Sequence, residues 1–100
     1  MSSISVTVSH QLDPQEAAQR IQSALAEALR TYQDRLEQGS FQWTDRVLNY
    51  RFQTMGVTVE GTLRVEPTQV VVEAELPTFA GVFRGMIEQQ IRDRLSELLA

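Results

Sequence analysis

Residues 57–76 read VTVEGTLRVEPTQVVVEAEL, and the way this stretch alternates decides the fold. Val57, Val59, Leu63 and Val65 keep one phase, with Thr58, Glu60, Thr62 and Arg64 opposite. A period of two belongs to a strand with one buried face. Gly61 falls on the apolar side, where a bulge or a close neighbour uses the missing side chain. The turn signal Glu66-Pro67-Thr68-Gln69 follows, with proline pre-setting its φ. Val70, Val72, Ala74 and Leu76 then alternate with Val71, Glu73 and Glu75. Two such strands joined by a short turn pair antiparallel.

The same pattern extends upstream. Leu48, Tyr50 and Phe52 alternate with Asn49, Arg51 and Gln53, between the turn signals Thr44-Asp45-Arg46 and Thr54-Met55-Gly56. Phe41 and Trp43 share one face of a shorter strand before them. At the start of the chain Ile4, Val6 and Val8 alternate with Ser5, Thr7 and Ser9. A helix lies between. Asp13 is its cap, Pro14 suits the first helical position, and Glu16 completes a capping box, with Leu12 placed to staple onto Ala17. Its apolar face is Ala17, Ile21, Ala24, Leu25, Ala28, Leu29, Tyr32 and Leu36, and Gly39 is expected to end it.

Downstream, Pro77 keeps Leu76 extended, and Thr78 is the expected cap of a second helix. Its stripe is Phe79, Phe83, Met86, Ile87, Ile91, Leu95 and Leu98, with Gln90 and Arg94 intruding on one edge. Gly81 and Gly85 read as a flexible helix start. The second half of this segment is assigned to the core. Phe79, Val82 and Phe83 crowd the corner before it and are candidates for an exposed apolar patch. The whole chain, 1–100, thus reads as a single α+β domain, a two-layer sandwich. One face of an antiparallel sheet is covered by two helices, in the order β-α-β-β-β-β-α. Short connections identify neighbours but leave the strand order open.

Composition narrows the function classes. The 42% apolar content is that of a globular protein. No run of 18 apolar residues exists to span a membrane, and the first ten residues lack the parts of a signal peptide, so a cytoplasmic location is expected. There is no cysteine, and all nine basic residues are arginine, so thiolate metal sites, cysteine nucleophiles and Schiff-base lysines are excluded. The net charge is −4 and the arginines are interleaved with Asp and Glu, leaving no basic stripe for nucleic acid or for an anionic membrane.

Side-chain chemistry is sparse. His10 is the single histidine and falls in phase with Ile4, Val6 and Val8; a structural role is expected, since Asp13 serves better as a cap and a metal needs more ligands. No catalytic residue, metal ligand or cofactor motif is assigned, and an enzyme is the least supported class. Glu60, Arg64, Glu73 and Glu75 are expected to be solvated charges on the polar sheet face. Trp43 is read as a core anchor or as the wall of a cavity between sheet and helices.

Taken together, VSHQLDPQEAAQRIQ (8–22), FQWTDRVLNYRF (41–52), GVTVEGTLRVEPTQVVVEAELP (56–77) and FAGVFRGMIEQQIRDRLSELL (79–99) resemble the small bacterial family of polyhydroxyalkanoic acid system proteins, also called the granule-region family. The resemblance covers nearly the whole chain and contains no catalytic signature. It implies a bacterial cytoplasmic accessory protein connected with polyhydroxyalkanoate storage granules. The end of the chain is also similar to the last strand and C-terminal helix of helix-grip proteins, the START and polyketide-cyclase-like group. That similarity implies a hydrophobic ligand of fatty-acid or acyl type between helix and sheet, with Trp43, Tyr50 and Phe52 available as lining. A third expectation is a homodimer that uses a sheet edge. The candidate contact residues are therefore Trp43, Tyr50 and Phe52 for a ligand, and Phe79, Val82 and Phe83 for a granule surface.

Overall fold

In the computed structural model the residues described are 2–35, 38–54 and 56–100, of which Ser2, Arg35 and Gln38 are described by backbone only. The strands are β1 (Ser2–Ser9), β2 (Gln38–Thr44), β3 (Val47–Thr54), β4 (Val57–Val65) and β5 (Gln69–Leu76). The helices are α1 (Pro14–Tyr32) and α2 (Arg84–Leu98), each adjoined by a 3-10 segment, Gln33–Arg35 and Thr78–Phe83. The element order is the expected one, and the fold is α+β. The sheet is fully antiparallel in the order β1-β5-β4-β3-β2. Three hairpins make a meander of β2 to β5, and β1 adds to the β5 side.

This order places β1 and β2 at opposite edges, so α1 must carry the chain across about 19 Å of sheet, which its length of about 28 Å allows. Asp13 starts it as expected, its Oδ1 accepting from the Gln15 N–H at 2.8 Å with Pro14 next. Glu16 turns to Arg20 instead, at 3.1 Å. The guanidinium of Arg20 also donates to the carbonyls of Leu98 and Ala100, at 3.1 and 2.8 Å, and so ties α1 to the end of α2.

The core is made by Ile4, Val6 and Val8 of β1, Val70, Val72, Ala74 and Leu76 of β5, Leu63 and Val65 of β4, and Leu48 of β3. Ala17, Ala18 and Ile21 of α1 and Leu95 and Leu99 at the end of α2 close it. His10 belongs here too, at 7% exposure. Its Nε2 donates to the Glu66 carbonyl at 2.9 Å and its Nδ1 accepts from the Leu12 N–H at 3.1 Å, so both ring nitrogens hold backbone in place.

Four local expectations are corrected. The helix does not run to Gly39: α1 ends at Tyr32 and Gly39 lies in β2, paired with Phe52. Ala28 and Tyr32 are exposed, so no packing sustains further turns there. Leu36 lies outside the described residues. Thr78 does not cap α2: residues 78–83 wind as a 3-10 segment and Phe83 takes the cap position. Met86 leaves the buried stripe and stands exposed beside the corner residues Phe79, Val82 and Phe83, which are exposed as their crowding suggested; burial begins with Ile87 and Ile91 and is complete at Leu95. Val71, expected on the polar face, is 8% exposed. It sits between Thr7 and Arg64 on the neighbouring strands, which close over it.

Candidate functional site

The candidate contact residues separate into two places. Trp43, Tyr50 and Phe52 lie on the apolar sheet face toward β2 and β3, all half-buried. The Phe52 ring is stacked between two others, with centroids 6.0 Å from Phe41 and 6.3 Å from Tyr50. Trp43 and Tyr50 pack against the core. Tyr50 is opposite Gly61 and reaches past it to β5, where its hydroxyl donates to the Glu73 carbonyl at 2.8 Å. Gly61 makes this possible. A Cβ there would lie 2.8 Å from the Ala74 Cα and would collide with the Glu73 carbonyl oxygen. The close neighbour expected at this glycine is thus strand β5. Burial, and next the charge of Glu73, push the Tyr50 hydroxyl up to about 12.

The second place is the corner between β5 and α2. Phe79 is 69% exposed, Val82 81%, Phe83 54% and Met86 56%. Phe79 and Val82, three apart in the 3-10 segment, stand one above the other, and Phe83 and Met86 follow where α2 begins. Four side chains of this size, each more than half exposed, present roughly 400–500 Å², the upper range for a patch on a monomer. The sequence places Met86 on the core stripe, and the signal that separates it is angular. Within α2, at 100° per residue, Ile87, Ile91, Leu95 and Leu98 share a sector about 80° wide, and Met86 stands about 100° from its edge.

Three concavities stand out, and none of the three lies between α2 and the apolar sheet face. The largest, about 670 Å³, is an open groove on the polar face that crosses all five strands. It runs from Ser3 and Ser5 over Glu73 and Glu75, then Glu60 and Thr62, then Asn49 and Arg51, to Ser40 and Gln42, with Arg84 at the β1 rim. Sequence reasoning took this face as plain solvated surface and missed its curvature, which comes from sheet coiling. Most of its charges are paired, while Glu75 lies opposite Glu60 across the β4–β5 pairing. Arg51 meets Glu60 at 3.8 Å, Arg64 meets Glu73 at 2.6 Å, and Arg84 meets Glu88 at 3.0 Å. The other two, about 580 and 520 Å³, lie on the polar sides of α1, against α2 and against the Asp45–Arg46 turn. Among the described residues no cluster of three or more His, Asp and Glu is arranged to hold a metal, and no helix is long and apolar enough to cross a membrane.

Comparison with known proteins adds the following. Two solved structures are similar in shape, each 16% identical in sequence. One is TTHA0849 from Thermus thermophilus, with a TM-score of 0.46 over 98% of this chain and 92% of that one. The other is the Zhui aromatase/cyclase from Streptomyces sp. R1128, with a TM-score of 0.47 over 97% and 87%. Among curated proteins none matches the chain. The profile of one protein family matches residues 4–99, the span that contains every element from β1 to α2. The chain therefore belongs to the family described as "Putative polyhydroxyalkanoic acid system protein".

Proposed function

We propose that this protein is a non-enzymatic accessory factor that docks on the surface of polyhydroxyalkanoate granules in the bacterial cytoplasm. The observation that carries this reading is the exposed stripe Phe79, Val82, Phe83 and Met86. Moving roughly 400–500 Å² of apolar surface out of water is worth on the order of 10 kcal/mol before the loss of rigid-body freedom. That suffices for reversible attachment. The surface reached must be uncharged, because the chain carries a net −4 and Arg84 beside the stripe is already paired with Glu88. A polyester meets that condition, and an anionic bilayer does not. The single histidine is held by backbone on both ring nitrogens, which supports a binding role over acid–base work. A ligand held between α2 and the apolar sheet face is the less favoured reading, since the three concavities described all open elsewhere.

Co-sedimentation with isolated poly(3-hydroxybutyrate) granules tests this directly. The wild type partitions to the granules, while Phe79→Ser/Val82→Ser stays in the supernatant with an unchanged circular dichroism spectrum. Equal partition of the two proteins would discard the docking stripe. Binding to anionic lipid vesicles as strong as to granules would discard the polyester as the surface recognised.

A further inference from the structure

The two edges of the sheet are treated differently. α2 and the preceding 3-10 segment pack against β1, so helix lies close to this edge, whereas among the described residues no helix packs against β2 to that extent. β2 is the other edge, with β3 on one side. Among the described backbone hydrogen bonds outside the regular elements, none joins β2 to another part of the chain. The hairpin to β3 closes on Thr44 and Val47. Hydrogen-bonded and non-bonded pairs alternate from there, so the N–H and C=O groups of Trp43, Phe41 and Gly39 point outward.

Natural edge strands are normally guarded by lysine, proline, a bulge or an inward charge. β2 reads QGSFQWT, with no charge and no proline, and its pairing with β3 runs without interruption from Gln38 to Thr44. In a chain of net charge −4 this neutrality also means that a second copy of the strand meets no like charge.

We infer that β2 is a self-pairing edge: two copies of the chain join β2 to β2 in antiparallel fashion and continue one sheet across a two-fold axis at Phe41. The strand is complementary to itself in this register. Phe41 faces Phe41, and Gly39 faces Trp43 of the other copy. The Phe41 ring already leans over its own Gly39, since a Cβ there would lie 2.9 Å from the Phe41 Cε2. That ring is stacked on Phe52 of β3, and in the paired register the other copy's Trp43 arrives beside it at Gly39, a glycine that leaves room for an aromatic contact. On the polar face Ser40 meets Gln42, hydroxyl against amide. An isologous contact of this kind closes after two copies and cannot propagate. The inference is independent of granule docking, whose stripe belongs to the segment packed at the β1 side.

Sedimentation velocity at about 100 µM, where even a weak edge pairing is populated, provides the test. The wild type is expected to sediment with twice the mass of its 11.3 kDa chain. Ser40 and Gln42 are exposed, so Ser40→Lys/Gln42→Lys leaves the fold intact, as circular dichroism checks, and weakens association at least about tenfold through like charges across the axis. Ser40→Glu/Gln42→Glu does the same. An equimolar mixture of the two variants restores the dimer, and added salt weakens it again. A monomeric wild type, a lysine variant that dimerises like the wild type, or a mixture that stays monomeric would each overturn the inference.

Discussion

The two ends of the sheet solve the same problem in different ways. At the β1–β5 end, helices bury the apolar face: Ile4 is 1% exposed, and Val6 and Val70 are 0%. At the β3–β2 end, Phe41, Trp43, Tyr50, Phe52, Val57 and Val59 are all only half-buried. The reason is where the helices cross. α2 sits against β1, and α1 buries side chains fully only at Ala17, Ala18 and Ile21 in its first turns, with Leu25 packed partly buried beyond them. Beyond that reach the sheet covers itself with rings, Tyr50 laid across Gly61 and Phe52 stacked between Phe41 and Tyr50. Burial on a sheet face thus depends on the position of the covering helices more than on their number.

The largest test falls on the joint between the two ends. Gly61→Ala drives a methyl into the backbone of β5, which a flexible side chain could evade but a paired strand cannot. A loss of roughly 3 kcal/mol or more is expected in urea unfolding. A loss below about 1 kcal/mol would show that β4 and β5 are not so tightly apposed. Next comes one substitution made at both ends. Val70→Ala, under the helices, is expected to cost about 2–3 kcal/mol. Val59→Ala, half-buried beyond them, should cost about 1 kcal/mol by the same area argument. Equal costs would mean that the open end is covered in solution.

Tyr50 sharpens the comparison further. Tyr50→Phe removes the hydroxyl from the Glu73 carbonyl and is expected to cost about 1 kcal/mol near neutral pH. It should also change the alkaline limb. The Tyr50 pKa is raised from 10.0 to about 12 by burial, so the folded state holds a proton that the unfolded state releases. Its contribution is complete below pH 10 and is lost as pH rises through about 12. The wild type should lose stability across that window, and Tyr50→Phe should lose less. Absorbance of the phenolate follows the titration, and the Tyr50→Phe protein supplies the signal of Tyr32 alone for subtraction. Identical pH profiles would remove Tyr50 from its buried place. The smallest effect is expected at the corner before α2. Phe79→Ser/Val82→Ser should change stability by less than about 0.5 kcal/mol, because side chains already in water lose nothing on unfolding.

Much of the fold was legible because one-sided burial writes itself into sequence. The alternations of β1, β3, β4 and β5 predicted the strands and, Val71 apart, their buried sides, and Asp13 with Pro14 marked the start of α1; the turn expected at Thr54-Met55-Gly56 includes Met55, which lies outside the described residues. The stop expected at Gly39 failed because glycine also suits a strand that an aromatic ring must cover, as Phe41 does. Of the candidate contact residues, the corner Phe79–Val82–Phe83 was visible as crowding, whereas the exposure of Met86 was hidden by a stripe that looked continuous.

The succession of elements along the chain, the faces of most strands, the start of the first helix and the scarcity of reactive groups were determined by the sequence alone, because they rest on local periodicity and on which functional groups the chain contains. The tertiary structure decided the rest: which strand became an open edge, where a groove formed on the polar face, and which turns of the last segment stayed in water. These depend on how two helices cross a coiled sheet, a matter of distances between residues far apart in the chain that no local period records.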